Sequence, residues 1–361
     1  IAVDQISVIE LLSKKYNIIF LSIESSGPIN LLIKQMGVQT YSIRDEFNKK
    51  NFYIRSNFIF YFYMLFFFRK LFLKHKIELV FSHLEIPGLI SGIFSFFYKF
   101  KNFYFRHNMD AMSLDSNLKG KVINRLVNYI SSNIVCVSEA VENYLIKIEK
   151  VNPKKIKLIR YGYNFEKYFD YQYENKIKEI KNEYSADILL ISVGRLVPLK
   201  RHYISLQLIK KLNLNSPLKY KLIVLGDGPE KNNLLQYCKN NNLNNVFFLG
   251  FRNNIIDYIK ASDLMLHFSK SESFGHVVME SGLSSTPALA CKNTGIFEKF
   301  IQNKKNGFLV NKEDPLNESF ELLMSVKKNQ LEEMGLKLNL NVLNMFDIKN
   351  VIHKYYELIE N

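Results

Sequence analysis

Short apolar runs rich in β-branched and aromatic residues alternate with amphipathic stretches of helical period along nearly the whole chain. No other feature restricts the fold as much. Strand, helix and strand repeated in this way make βαβ units, which require parallel sheets with helices on both faces. In the first half the predicted strands are NIIFLSI (17–23), VQTYSI (38–43), IELVFS (77–82), NFYFR (102–106), NIVCVS (133–138) and IKLIRYG (156–162). In the second half they are ILLISVG (188–194), YKLIVLG (220–226), NVFFLG (245–250), DLMLHF (263–268), PALAC (287–291) and GFLV (307–310). The polar segment DYQYENKIKEIKNEYSAD (170–187) separates the two series and reads as a linker. The expected architecture is therefore α/β: two Rossmann-like domains, 1–169 and 188–340, facing a cleft. The ligand of such a fold lies outside the carboxyl ends of the strands.

The chain opens with an amphipathic helical pattern, IAVDQISVIELLSKKY, whereas a doubly wound domain begins with a strand that ends up mid-sheet. The first domain is therefore expected to lack its initial strand and to carry a gap in its sheet, with further residues upstream of Ile1.

A formal charge of +15 suits nucleic acid, an anionic membrane or a phosphate-bearing substrate. The Lys and Arg residues are spread along the chain, with no dense cluster and no RNA-binding or zinc signature, which argues against nucleic acid. Part of the charge follows from a lysine- and asparagine-rich composition, as in KNNNLNN (239–245). Cys136, Cys238 and Cys291 are far apart and follow no ligand spacing, which suits a reducing, cytoplasmic compartment. The run FIFYFYMLFFF (58–68) has 11 apolar residues, too few for a span of roughly 20. Followed by RKLFLKHK, it reads either as a buried helix or as a basic-aromatic helix on an anionic membrane face. GIFSFFYKFKNFYF (92–105) has the same character.

Three loops carry chemistry. In SESFGHVVMESG (271–282) a helix should begin near Phe274 and Gly275, where glycine permits close approach to the backbone. The free N–H groups and dipole of that first turn favour an anion. Glu272 and Glu280, eight positions apart, are strong acceptors for sugar hydroxyls on either side of a phosphate. In SVGRLVPLKR (192–201) a strand ends at Gly194, and Arg195 and Lys200 follow with Pro198 between them. A guanidinium fork and a mobile ammonium suit a diphosphate, although two solvated strand-end cations would have the same spacing. VLGDGPE (224–230) reads as a plain βα turn.

These blocks occur in the order SVGRLVPLK, LIVLGDGPE, NVFFLGF, ASDLMLHFSKSESFGHVVMES, TPALACKNTG and NGFLV. In that order, over about 186–312, they resemble the donor-binding domain of retaining GT-B glycosyltransferases, the glycosyl transferases group 1 (family 4). Weaker likeness extends to LVFSHLEIPG (79–88), FRHNMD (105–110), NIVCVSEAV (133–141) and IRYGYN (159–164). FDIKNVIHKYYELIEN (346–361) is similar to the family's last helix, so that 341–361 is expected to cross back to the first domain. The resemblance implies that Glu280 holds the nucleotide ribose and Glu272 the hydroxyls of the transferred sugar. Arg195 and Lys200 would carry the diphosphate, with the Phe274 and Gly275 amides near sugar and phosphate and with Ser273 and Gly194 completing the pocket. His107 matches the position that contacts the donor sugar, and His83 matches a structural block.

The chain departs from the pattern at three places. The glycine-rich loop after the first strand is absent, SSTPALA replaces Gly-x-Pro-Val, and HFSKSE lacks Pro-Ser. No Asp-x-Asp occurs, so protein cations rather than a metal are expected to stabilise the leaving diphosphate. The resemblance implies retention by front-face attack. The implied function is transfer of a hexose or N-acetylhexosamine from a UDP-sugar, or secondly GDP-mannose, to a lipid-linked or surface glycan at the inner membrane face. The absent glycine loop leaves as alternative an inactive relative that binds nucleotide or membrane.

Overall fold

The computed structural model describes residues 3–49, 57–109, 118–165 and 174–360. Each of the twelve predicted strands has its counterpart. In the first half these are β1 Ile19–Ser22, β2 Gln39–Ser42, β3 Leu79–His83, β4 Lys101–Arg106, β5 Asn133–Cys136 and β6 Ile156–Leu158. In the second half they are β7 Ile188–Val193, β8 Tyr220–Leu225, β9 Val246–Gly250, β10 Leu264–His267, β11 Ala288–Cys291 and β12 Phe308–Val310.

The second-half strands form one parallel sheet in the order β12-β11-β10-β7-β8-β9. All six residues of β7 are buried. Ile188 and Leu190 enter one apolar cluster, while Leu189, Ile191 and Val193 enter another on the opposite face. A strand buried on both faces must read as a continuous apolar run, which is why ILLISV carries no alternation. The order reverses between β7 and β10, so their carboxyl ends flank a topological switch point, where open α/β sheets bind ligands.

The first-half strands are also parallel, but they form two sheets, β1-β2 and β3-β4-β5-β6, rather than one. The helix Ile348–Glu360 lays Ile348, Val351, Tyr355 and Leu358 on Phe103, Phe105 and Val135 of the four-stranded sheet and on Ile159 just past β6. The C-terminal segment thus returns to the first half. Its entry is pinned by backbone bonds Tyr163 N to Phe346 O, 2.8 Å, and Ile348 N to Tyr163 O, 3.0 Å.

The expected linker contains a helix, Glu174–Glu183, which packs on the helix Ile255–Ala261 and buries Ile180. The expected boundary at 169–170 lies outside the described residues. The apolar run after residue 57 forms the helix Asn57–Lys74. One side, Phe60, Tyr63, Met64, Phe67 and Leu71, is buried. The other side exposes Tyr61, Phe62, Leu65 and Phe66, then Arg69, Lys70, Leu73 and Lys74. The buried-helix reading of this run therefore holds for one face, and the other face is exposed. Among the described residues no helix is long and apolar enough to cross a membrane.

Candidate functional site

The site forms where the β7 and β10 loops meet. Register pairs Leu190 with Leu264 and Ile191 with Met265, which brings the two strand ends side by side. The loops are then tied together by Lys270 N donating to Leu199 O at 2.9 Å. Arg201 sits in the left-handed region, φ 51°, and donates to the carbonyls of Phe268 at 2.6 Å and Lys312 at 2.9 Å. That anchor fixes the neighbouring Lys200 against the β10 loop.

Gly226 has φ +131°, and a Cβ there would stand 1.9 Å from the Gly194 carbonyl oxygen. The GDG turn therefore backs directly onto the Arg195 loop. It buttresses that loop, a use that the plain-turn reading missed.

Lys200 Nζ donates to Glu272 Oε1, and the same oxygen lies 2.9 Å from Nε2 of His267. Glu272 and His267 are only 5% and 4% exposed. Burial alone would raise the Glu272 carboxyl, but the His267 hydrogen bond and the Lys200 charge outweigh it. The net result is a pKa of about 2. Lys200 is therefore already paired within the protein. Arg195, exposed on the same loop, makes no ion pair with any described residue. Lys200 balances Glu272, whereas the charge of Arg195 is not balanced by an ion pair among the described residues.

The helix His276–Leu283 begins where SESFG predicted, with Gly275 as its N-cap at φ +93°. A Cβ on Gly275 would be 2.3 Å from the Phe297 ring, so both conformation and space require glycine. Glu280 stands on this helix, about one turn in. It is partly buried, and its Oε2 is buried without a hydrogen-bond partner among the described residues. Burial pushes its pKa up to about 7. A buried oxygen left without a donor calls for an explanation, and a ligand hydroxyl is one.

The first half closes over this loop. Ser138 caps the helix Glu139–Lys147, and its Oγ donates to the Ser273 carbonyl. His107 lies just past β4, hydrogen-bonded to His83 and Tyr161. His276 Nδ1 pairs with the Tyr163 hydroxyl at 2.5 Å, and Tyr161 packs on Phe274, 4.9 Å between ring centroids. Burial lowers His276 to about 4.

The structure brings Lys200 onto Glu272 at this switch point and joins His83 and His107 to Phe274 through Tyr161, while Gly194 and Arg195 follow β7 and Glu280 stands about one turn into the helix. His267, His276, Tyr161 and Tyr163 were not singled out. A histidine inside the apolar strand DLMLHF was the available signal for His267, and the paired tyrosines of RYGYN for the other contacts.

A divided α/β fold with cations and carboxylates gathered at a sheet switch point defines a GT-B class protein. HepE of Anabaena, solved in complex with UDP, has the same fold: TM-score 0.79 at 19% identity, covering 99% of this chain and 96% of that one. Residues 174–337 match the family Glycosyl transferases group 1 and residues 34–167 match Glycosyltransferase Family 4. The chain belongs to the GT-B glycosyltransferases of this group. It is 28% identical over 257 residues to N-acetyl-alpha-D-glucosaminyl L-malate synthase of Bacillus anthracis, covering 69% of this chain and 65% of that enzyme. It is 25% identical over 233 residues to the UDP-Gal:alpha-D-GlcNAc-diphosphoundecaprenol alpha-1,3-galactosyltransferase of Escherichia coli, covering 63% and 60%. The chain thus spans less than two thirds of either relative's length.

Proposed function

We propose that the chain transfers a hexose or N-acetylhexosamine from a nucleotide sugar to a lipid-linked or surface glycan, with retention at the anomeric carbon and without a metal. A UDP-sugar is the first candidate donor and GDP-mannose the second. The observation that carries this reading is the Lys200–Glu272 pair beside exposed Arg195, at the switch point and at a helix start. Arg195, Lys200 and the first-turn amides would bind the diphosphate and stabilise its charge as the glycosidic bond breaks. Glu272 Oε1 is committed to Lys200 and His267, which orients the carboxylate for sugar hydroxyls. Ribose hydroxyls would supply the donors that Glu280 Oε2 lacks. Two of the proteins compared fit the choice of donor and acceptor: HepE was solved with UDP-glucose, and the Escherichia coli relative's name gives a UDP-galactose donor and a diphosphoundecaprenol acceptor.

The exposed face of Asn57–Lys74, aromatic at one end and basic at the other, would rest on the anionic inner face of the plasma membrane, a peripheral contact from the cytoplasm. The absent glycine-rich loop motivates one other reading, nucleotide or membrane binding without turnover. Melting curves with UDP, GDP and ADP test the assignment, because a ligand of the native state raises the melting point. UDP is expected to raise it most. No shift with any of the three would overturn the reading, and a UDP shift without transfer of sugar would select the second.

A further inference from the structure

Three groups stand together that the proposed function does not join. His83 closes β3 and His107 follows β4; register pairs His83 with Phe105, so both histidines lie at the carboxyl edge of the sheet. Tyr161 follows β6 on the same edge. Nδ1 of His83 is 2.8 Å from Nε2 of His107, and Nδ1 of His107 is 2.5 Å from the Tyr161 hydroxyl. The rings stack, with centroids 5.0 Å apart for the two histidines and 5.8 Å apart for His107 and Tyr161. Tyr161 also meets Phe274 and His276, 4.9 and 4.8 Å between centroids, in the loop that follows Glu272.

Counting hydrogens limits what this chain can do. A neutral imidazole carries one N–H and a phenol one O–H, so the three groups hold three hydrogens. Two fill the internal bonds, and the third sits at one end, on His83 Nε2 or on the Tyr161 oxygen. If Tyr161 donates, His107 carries its hydrogen on Nε2; if His83 donates, on Nδ1. In both arrangements the two nitrogens of His107 are used, and a donor-sugar hydroxyl finds no free ring nitrogen. Burial disfavours the charged forms, lowering His83 to about 4 and His107 well below its ordinary value.

We propose that Tyr161 is a positioning residue for sugar transfer. Together with His83 it clamps the His107 ring from both sides, occupies both ring nitrogens and ties the ring to the loop that carries Glu272. This rests on the reading that places His107 beside the donor sugar. A phenylalanine would keep the ring contacts with Phe274, His276 and His107, so the substitution removes only the hydroxyl's bond to His107.

Tyr161→Phe separates the two roles. With ¹⁵N-histidine labelling, and with His83→Gln and His107→Gln assigning the signals, long-range ¹H–¹⁵N spectra report each ring nitrogen. The Nδ1 signal of His107 is expected to move in Tyr161→Phe, because that nitrogen loses a partner in either arrangement. With UDP-glucose and GDP-mannose as donor probes, kcat is expected to fall roughly five- to tenfold, the size of one hydrogen bond, while the donor KM stays within about twofold. An unmoved Nδ1 signal overturns the clamp whatever the kinetics. A moved signal with unchanged kcat overturns the role in transfer. If His107→Ala leaves turnover intact, the placement of His107 beside the sugar fails, and the spectra still decide the clamp.

Discussion

The loop before the His276–Leu283 helix and the body of that helix treat a carboxylate in opposite ways. Glu272, in the loop, is held by Lys200 and His267 and stays ionised down to a pKa of about 2. Glu280, on the helix, has a buried oxygen without a donor and a pKa raised to about 7. The contrast separates an acid whose charge the protein already balances from one whose partner must come from outside. The first can orient a substrate; the second can be completed by one.

The largest expected effect is on turnover. Glu272→Ala removes the acceptor and leaves Lys200 and His267 unpaired, and transfer should fall roughly 10²–10³-fold, as for loss of one donor in an oxyanion site. Initial rates with an active donor check this, and an unchanged rate would remove Glu272 from the site. Next comes nucleotide affinity. Glu280→Ala should weaken UDP binding about tenfold or more, the cost of a hydrogen bond to a charged group, as read by calorimetry. Glu272→Ala should change UDP affinity less, because its proposed contacts are with the sugar.

The pH dependence of stability should then differ in sign. The folded pKa of Glu272 lies below its ordinary 4.5, so its contribution is present above that pH and is lost as pH falls toward 2. Glu272→Gln should therefore lower the melting temperature at neutral pH, with the deficit shrinking below about 4. The folded pKa of Glu280 lies above 4.5, so its contribution is full at acid pH and lost as pH rises through about 7. Glu280→Gln should leave acid stability unchanged and raise the melting temperature at pH 8. Parallel curves for the two variants would erase the contrast. The smallest effect lies away from both. Phe62→Ser with Phe66→Ser should weaken binding to phosphatidylglycerol vesicles without altering UDP affinity, as cosedimentation would show.

The parallel strands were legible because burial on two faces leaves long apolar runs that no loop can imitate. Gly275 and the helix start were legible from local chemistry alone. The partners of Glu272 were legible only in part: Lys200 was singled out for phosphate, but its pairing with Glu272 spans 72 positions and depends on β7 lying beside β10. His267 was passed over because one histidine in an apolar strand reads as core until its nearest acceptor is known. Tyr161 and Tyr163 were hidden for the same reason, since their contacts with Phe274 and His276 join the two halves of the chain.

The most direct measurement is UDP-induced stabilisation in the presence of EDTA, for the native chain and for Arg195→Ala. If protein cations and the helix start hold the diphosphate, the native chain gains about 2.7 kcal/mol at a hundredfold excess over Kd with chelator present. Arg195→Ala should then need at least about tenfold more UDP for the same gain. Stabilisation that appears only with added magnesium, or that survives Arg195→Ala undiminished, would contradict the account.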